Sequence, residues 1–234
     1  MTQILLPDNK ERSLAFYLAM EEYVAKERDG EAFFVWRVAP TVIIGRNQVL
    51  ENEVNMPYCS EHGVQLVRRK SGGGCVYSDK GNIMISYISE RGDVAAVFDR
   101  YMSSLAALLC DLGLPAVKSA RNDVLVDGRK VSGNAFQQLP GKSIVHGTLL
   151  YSTCLEALTE SIRPPLEKLQ RHGVESVRQR VVNLEEYKDV HPVLRSVESL
   201  EEHIVKAFAD GAVTLSQEQV AEIERMAEPY IIRQ

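Results

Sequence analysis

The sequence has few cysteines and no long apolar run, and each shortage excludes a class of protein. Its four cysteines, Cys59, Cys75, Cys110 and Cys154, form no C-x-x-C pair, so zinc-ribbon and thioredoxin-like motifs are absent. Scattered single cysteines are typical of a reducing compartment, and we expect a cytoplasmic protein. No apolar run approaches the roughly 20 residues of a membrane span, and Met1–Gln3 lacks the basic start of a signal peptide.

Excess positive charge is also missing. The net charge is −5, whereas dedicated nucleic-acid-binding proteins usually carry a basic excess, so we expect no nucleic-acid partner and no membrane partner. Hydrophobic and charged fractions of 45% and 25% are those of an ordinary globular protein. A length of 234 residues suffices for a large core, and we expect one domain over 1–234 with a helical tail from roughly residue 190.

The most unusual stretch is 68–74, Arg-Arg-Lys-Ser-Gly-Gly-Gly, which we call the glycine loop. It lies between two apolar runs predicted as strands, 64–67 and 83–88. Three successive glycines let a ligand lie against the main chain and leave amide N–H groups free to face an anion. The arginines at 68 and 69 favour a phosphate site over the alternative, a flexible hairpin turn. The stretch is not a P-loop, because no Gly-Lys-Ser/Thr ending opens a helix.

Turn signals predict an α+β fold with a mixed, largely antiparallel sheet flanked by helices. Asp127-Gly128 is a strong two-residue hairpin signal between Val124–Val126 and Lys130–Val131. Tight hairpins in succession imply antiparallel or mixed pairing rather than a Rossmann alternation. The other predicted strands are 32–38, 41–45 and 143–151.

Helical spacing of apolar residues predicts a first helix over 8–28, capped by Asp8 or Asn9. Within it, the acidic pair Glu21-Glu22 is expected on a solvated face. The other predicted helices are 99–112, 155–162, 167–172, 197–210 and 216–227.

Three motifs follow one another along the chain: the glycine loop, Lys-Val-Ser-Gly-Asn-Ala at 130–135 and His-Gly-Thr-Leu-Leu at 146–150. In that order and at those spacings they resemble the lipoate–protein ligase family. Further stretches of the resemblance, which extends over about 9–187, are Trp36, Pro40–Gln48, Arg121–Asp123 and Ser176–Leu184.

The resemblance implies a biotin/lipoate ligase type of catalytic domain and a two-step reaction. Lipoate and ATP, with Mg²⁺, would give lipoyl-adenylate, which a lysine of an acceptor protein then attacks. The implied acceptors are lipoyl-domain proteins, namely acyltransferase subunits of 2-oxoacid dehydrogenases and the glycine cleavage H protein.

Lys130 is the candidate catalytic residue, because attack on the adenylate develops negative charge that a preorganised cation stabilises. A compact ammonium group can reach two oxygens at once; the alternative is a solvated hairpin lysine. By resemblance, Arg69 would hold a phosphate or carbonyl oxygen, and Asp123 would bind the adenylate and a magnesium ion. The remaining implied substrate and adenylate contacts are Ser71, Gly72, Gly73, Gly74, Tyr77, Gly81, Asn82, Asn122, Ser132, Gly133, His146, Gly147 and Thr148.

Several of these residues also have a purely structural interpretation. Asn82 could cap a turn, and His146 could be a core histidine that its neighbours satisfy. No general base is assigned, since the acceptor lysine needs only to lose its proton near an anionic site. The lipoyl tail is apolar, so a tunnel is expected; its candidates, each of which could equally be core, are Trp36, Val42, Ile44, Val76 and Tyr77.

The chain departs from the family pattern in three places. Ser78 replaces the histidine of a frequent His-Asp-x-Gly-Asn run, and Cys154 stands where an aspartate is common. The sequence stops at Gln234, where two-domain bacterial ligases continue into a small C-terminal domain. We therefore expect a separate small accessory subunit, activity without one, or weak activation.

Three other functions are possible for a chain with these motifs. An octanoyltransferase of the same fold needs a nucleophilic cysteine, yet its expected positions, 116–119 and 162–165, hold none. Only Cys75 and Cys154 lie next to site motifs. A biotin ligase would have Gly-Arg-Gly-Arg in its loop. A non-catalytic lipoate-binding protein would not need Lys130 together with an Asn-Asp pair.

Overall fold

A mixed sheet forms the centre of the molecule in a computed structural model that describes residues 1–162 and 180–233. The helix predicted over 167–172 and the stretch 176–179 lie outside the described residues. In the described part, the main sheet has the strand order β11-β1-β2-β6-β10-β9-β8-β7, and a smaller sheet has the order β4-β3-β5. The strands are β1 Thr2–Leu5, β2 Ala32–Trp36, β3 Thr41–Ile44, β4 Gln65–Arg68, β5 Val76–Ser78, β6 Asn82–Glu90, β7 Ala116–Lys118, β8 Asp123–Val126, β9 Arg129–Leu139, β10 Lys142–Leu150 and β11 Gly211–Thr214.

Helices cover both faces of the main sheet. They are α1 Leu14–Glu27, α2 Leu50–Glu53, α3 Met56–Glu61, α4 Val94–Asp111, α5 Leu155–Ser161, α6 Val197–Phe208 and α7 Gln217–Ala227, with 3₁₀ turns at Leu184–Tyr187, Pro192–Arg195 and Glu228–Tyr230. None of the helices in these ranges is long and apolar enough to cross a membrane.

The predicted hairpin is confirmed, and it explains why the sheet is largely antiparallel. Asp127 and Gly128 both have positive φ, 50° and 74°, the backbone of the tight turn that matches strand twist. β10 pairs antiparallel with β6 and β9. Among the strands of the described residues, β1 pairs parallel with β2 and β11, and β3 pairs parallel with β4. The expected α+β class is therefore confirmed.

The two faces of β10 carry different side chains. Val145 and Leu149 pack in the apolar core beneath α4 and α6. His146 points to the opposite face, where it contacts α1. This alternation follows from the two-residue period of a strand. The face covered by α1 is thus the one that carries His146.

The first helix begins later than predicted. It starts at Leu14, and Ser13 caps it by accepting a hydrogen bond from the amide of Phe16. Asp8 and Asn9, the predicted caps, lie outside it. Residues 8–13 are all polar or charged, and Asp8 accepts a hydrogen bond from the Arg12 guanidinium instead of capping the helix.

The prediction that Glu21 and Glu22 lie on a solvated face is wrong. Their exposed fractions are 1% and 7%. Buried carboxylates persist only where donors satisfy them, and both have donors from elements far away in sequence. No local pattern contains those partners.

Short strands were the elements that sequence reasoning missed. β1, β7 and β11 have only three or four residues each. β11 also shows that the predicted helical tail contains a strand, which pairs with β1. α4 begins at Val94, five residues before the predicted start, because Asp93 accepts the amide of Ala96 as its cap.

We expect Leu109→Ala to lower the free energy of unfolding by about 2 to 5 kcal/mol, because a fully buried leucine of α4 leaves a cavity. Urea unfolding followed by circular dichroism measures the change. Val117→Ala on β7 is the control, since Val117 is 55% exposed and should shift stability by at most about 0.5 kcal/mol. Equal losses in the two variants would contradict the assigned core.

Candidate active site

A cavity of about 390 Å³ opens between the glycine loop, β9, β10 and α5. It brings together residues from all three sequence motifs. Its size lies within the range of roughly 300 to 1,000 Å³ typical of small-molecule sites. The predicted site residues in its wall are Arg69, Gly73, Gly74, Val76, Tyr77, Asn122, Asp123, Lys130, Gly133, His146, Gly147 and Thr148.

An ion pair between Lys130 and Asp123 stands in the cavity wall. The lysine Nζ lies 2.7 Å from the aspartate Oδ1, and both side chains are about one-third exposed. A bulge between Val124 and Leu125 shifts the strand register beside Lys130. A Cβ on Gly133 would lie 2.5 Å from the lysine Nζ, so only glycine lets the lysine lie across its own strand.

Asn122 and Asn134 clamp the neighbouring strands together. The side-chain amide of Asn134 donates to the Asn122 carbonyl at 3.0 Å, and that of Asn122 donates to the Asn134 carbonyl at 2.7 Å. The Asn134 backbone amide adds a third bond at 2.9 Å. The clamp fixes the residue that precedes Asp123. Sequence reasoning assigned Asn134 no role, although its place inside the 130–135 motif was a signal.

Arg69 braces the glycine loop from inside. Only 4% exposed, its guanidinium donates to the carbonyls of Gly72, Gly74 and Ile43 at 2.7 to 3.3 Å. Burial lowers the pKa of this arginine. The observed hydrogen bonds of Arg69 go to backbone carbonyls, so its contact with a phosphate remains a prediction.

Arg68 fastens the other side of the loop. Its guanidinium donates to the carbonyls of Gly45 and Gln48 at 3.1 and 2.8 Å. A Cβ on Gly45 would lie 2.2 Å from the Gly73 carbonyl oxygen, so the two backbones touch there. Gly73 itself has a φ of 95°, which glycine tolerates readily.

A chain of buried hydrogen bonds runs from the sheet to the glycine loop. The Trp36 indole donates to Ser86 at 2.9 Å, and the Ser86 hydroxyl donates to Glu21 at 2.6 Å. The other Glu21 oxygen lies 2.9 Å from His146 Nδ1. His146 Nε2 lies 2.8 Å from the Ser71 hydroxyl. His146 is therefore both satisfied by neighbours and part of the cavity wall.

The tunnel candidates divide into two groups. Val76 and Tyr77 line the cavity. Trp36 stacks on Tyr17 with ring centroids 4.4 Å apart, and Val42 and Ile44 pack in the core beneath the small sheet. For these three the placement favours the core alternative. The apolar wall missed by sequence reasoning is Leu18, Ile43, Met84, Leu150, Leu158 and Ile162.

Asn82 is fully buried, yet neither atom of its side-chain amide has a partner in the part of the chain described. An amide can donate two hydrogen bonds and accept two, so this side chain has unused polar groups in a buried position. Gly81 is pressed against the next loop, since a Cβ there would lie 2.3 Å from the Ser152 carbonyl oxygen. Asp79 caps this turn by accepting the amides of Gly81 and Cys154.

The described residues offer few side chains that could bind a resident metal ion. Within residues 1–162 and 180–233, no group of three histidine, cysteine or acidic side chains could coordinate an ion. Asp123 is the carboxylate in the wall, and it already pairs with Lys130. Mg²⁺ commonly binds through one carboxylate plus the phosphates of a nucleotide, and Asp123 fits that arrangement.

The cysteines differ in their surroundings. Cys75 lines the cavity, and burial raises its pKa to about 12. A thiol with that pKa holds its proton at neutral pH and is a poor nucleophile. Cys154 is exposed at the start of α5, and Cys59 is buried with a pKa raised by desolvation.

The family model of the lipoyl protein ligase A/B catalytic domain matches residues 13–209. The chain belongs to this family. The resemblance predicted from the motifs is thereby confirmed. The curated lipoate–protein ligase LplJ of Bacillus subtilis is 38% identical over 175 residues, 74% of this chain and 53% of LplJ. Lipoate–protein ligase 1 of Staphylococcus aureus is 36% identical over 73% of this chain and 53% of its own.

Solved structures support the fold of this lipoyl ligase catalytic domain. The bipartite lipoate protein ligase of Thermoplasma acidophilum has a TM-score of 0.83 at 24% identity, covering 97% of this chain and 92% of that one. A lipoate–protein ligase A bound with ATP gives 0.82 at 22% identity, covering 97% and 94%. The present chain spans about half the length of the curated relatives it matches.

At the place of the family's frequent histidine, Ser78 is buried in the ligase domain. Its hydroxyl has no hydrogen-bond partner within the described residues. Ser132, another predicted contact, shares hydrogen bonds with the Asn134 side chain and does not line the cavity. Ser71, Gly72, Gly81 and Asn82 likewise lie outside the cavity wall, and their contacts with substrate remain predictions.

We expect Gly147→Ala to destabilise the protein by about 1 to 3 kcal/mol. The added Cβ would lie 1.9 Å from the Asn134 Oδ1 and would displace the side chain that clamps Asn122. Urea unfolding measures the loss. Gly211→Ala is the control because its Cβ would meet open space. Similar losses in both variants would show that the clamp tolerates the methyl group.

Proposed function

We propose that this protein is a lipoate–protein ligase, which activates lipoate with ATP and transfers the lipoyl group to a lysine of an acceptor protein. The observation that carries the proposal is Lys130, paired with Asp123 in the wall of a cavity that the glycine loop and β10 also line. Family membership and the curated ligases at 36–38% identity support it.

The first step forms the activated acid. A lipoate carboxylate oxygen attacks the α-phosphorus of ATP, the bond to the bridging oxygen breaks, and pyrophosphate leaves. Asn122 and Asp123 would hold the nucleotide next to Lys130. The apolar wall of Leu18, Ile43 and Met84 would take the acyl chain.

The second step forms the amide. The acceptor lysine nitrogen attacks the lipoyl carbonyl carbon, the bond to the phosphate oxygen breaks, and AMP and a proton leave. Negative charge grows on the carbonyl oxygen and on the leaving phosphate, where the ammonium group of Lys130 would stabilise it. The ion pair to Asp123 keeps that ammonium extended toward the cavity.

The proposed partners are lipoyl-domain acceptors, such as acyltransferase subunits of 2-oxoacid dehydrogenases and the glycine cleavage H protein. The Thermoplasma ligase was described together with its E2 lipoyl domain, which supports this class. That ligase is bipartite, and a separate small accessory subunit is accordingly part of the proposal. We place the reaction in the cytoplasm, with Mg²⁺ accompanying ATP.

Lys130→Ala should abolish most lipoyl transfer from synthetic lipoyl-adenylate to an acceptor domain, because the developing charge loses its cation. Removing one group that stabilises such charge commonly costs about 10² to 10³ in rate. Mass spectrometry of the acceptor measures transfer. Lys118→Ala is a matched control, since Lys118 forms an ion pair with Asp99 outside the cavity.

Full transfer by Lys130→Ala would refute the assigned role of that lysine. Thermal unfolding of both variants is the accompanying control. Lys130 is about one-third exposed, so truncating it should leave the fold intact.

A cysteine-free variant should still ligate lipoate in the presence of ATP, because no thioester intermediate is needed. The raised pKa of Cys75 already disfavours a nucleophilic thiolate in the wall. The measurement compares ligation with transfer of octanoate from a carrier thioester. If the wild type transfers octanoate and the variant does not, the protein is a transferase instead.

A further inference from the structure

A buried carboxylate of α1 has two donors and a tyrosine hydroxyl around it beside the glycine loop. Glu22 is 7% exposed. It accepts hydrogen bonds from Lys70 Nζ at 2.8 Å and from Gln137 Nε2 at 3.2 Å, and the nearby Tyr230 hydroxyl also helps to lower its pKa. Burial alone would raise the pKa of Glu22, but these hydrogen bonds lower it, so the group is ionised at neutral pH.

Lys70 links this carboxylate to the glycine loop. Its Nζ lies 4.8 Å from the centroid of the Tyr230 ring, so the ammonium contacts both a carboxylate and an aromatic face. The next residue, Ser71, bonds to His146. Lys70 is thus bound directly to Glu22 of α1. Ser71 is bound to Glu21 of the same helix through His146.

The last described residues, 228–233, which we call the C-terminal segment, contact the same region. Tyr230 is 2% exposed. Ile231 forms an antiparallel bridge with Val67, and the Ile232 amide donates to the Leu66 carbonyl at 3.1 Å. β4, which contains both partners, runs directly into the glycine loop. The segment therefore contacts the loop at its base and at Lys70.

We propose that Tyr230, Glu22 and Lys70 form a positioning set that holds the glycine loop in its binding geometry and links the loop's affinity for lipoate to the C-terminal segment. The inference rests on the proposed function. Three successive glycines lose much backbone freedom when they are ordered. A loop held in place before substrate arrives avoids that loss on binding, which improves affinity.

The kinetic signature follows from this role. A residue that only pre-orders the loop affects substrate and transition state alike, so its removal raises KM and leaves kcat nearly unchanged. Tyr230→Phe, which removes only the hydroxyl, should raise KM for lipoate about fivefold, the equivalent of one hydrogen bond. Lys70→Met should do the same, and Lys70→Arg should restore most of the affinity.

The fold contains a matched control on its opposite face. The Tyr87 hydroxyl donates to Glu31 at 2.7 Å, and the Arg100 guanidinium lies 5.7 Å from the Tyr87 ring centroid. This second set also combines a tyrosine, a carboxylate and a cation, here the Arg100 guanidinium, and it has no contact with the glycine loop. Tyr87→Phe should leave KM for lipoate unchanged. This should hold even if the melting temperature of Tyr87→Phe falls as much as the melting temperature of Tyr230→Phe.

The decisive experiment uses the full chain with an acceptor domain, and with an accessory subunit where ligation requires one. KM and kcat are measured for Tyr230→Phe, Lys70→Met and the double variant. Because both residues act through Glu22, the double variant should raise KM by much less than the product of the single effects. Full multiplicativity, an unchanged KM, or an equal rise in Tyr87→Phe would overturn the proposal.

A second readout does not depend on ligation. Hydrogen–deuterium exchange of the stretch 67–74 should quicken in Tyr230→Phe and stay as in the wild type in Tyr87→Phe, since a less restrained loop opens more often. Unchanged exchange in Tyr230→Phe would also overturn the positioning role. If the wild type fails to ligate lipoate while exchange behaves as expected, the proposed function is wrong and the positioning of the loop stands.

Discussion

Two neighbouring carboxylates on one helix, Glu21 and Glu22, set the constraint on which the site depends. Burying a charge without partners is prohibitively unfavourable, so each must meet donors from other parts of the chain. Glu21 meets Ser86 and His146, and Glu22 meets Lys70 and Gln137. The hydrogen bonds to these two carboxylates hold α1 against β6, β9 and β10, and they align the glycine loop with the cavity.

Cationic side chains have two different roles in this protein, and the side chains in the two roles differ in how deeply they are buried. Arg69 is almost fully buried, and its fixed fork of donors serves carbonyl oxygens of the loop. Lys130 keeps about one-third of its side chain exposed and pairs with the carboxylate of Asp123. Arginine suits the first task because its planar group presents several donors at once. Lysine suits the second because its single charge can move from one oxygen to another.

Sequence reasoning succeeded where the signal is local and failed where partners are distant. Asp127-Gly128 specifies its turn by itself, so the hairpin and Lys130 beside it were predictable. Ile43 lines the cavity, whereas Val42 and Ile44, the residues predicted for the tunnel, face the core. A shift of one residue along a strand moves a side chain to the opposite face of the sheet. The burial of Glu21 was unpredictable, since His146 lies 125 positions away in sequence.

The parallel pairing of β1 with β11 also affects synthesis of the chain. Thr2 lies opposite Gly211, so β1 is synthesised about 200 residues before its partner strand. During translation the outer side of β1 remains an unpaired edge, the kind of surface on which strands from other molecules can add. That edge is covered only once residues 211–214 have been made, so a large part of the chain is synthesised while β1 is open to such pairing.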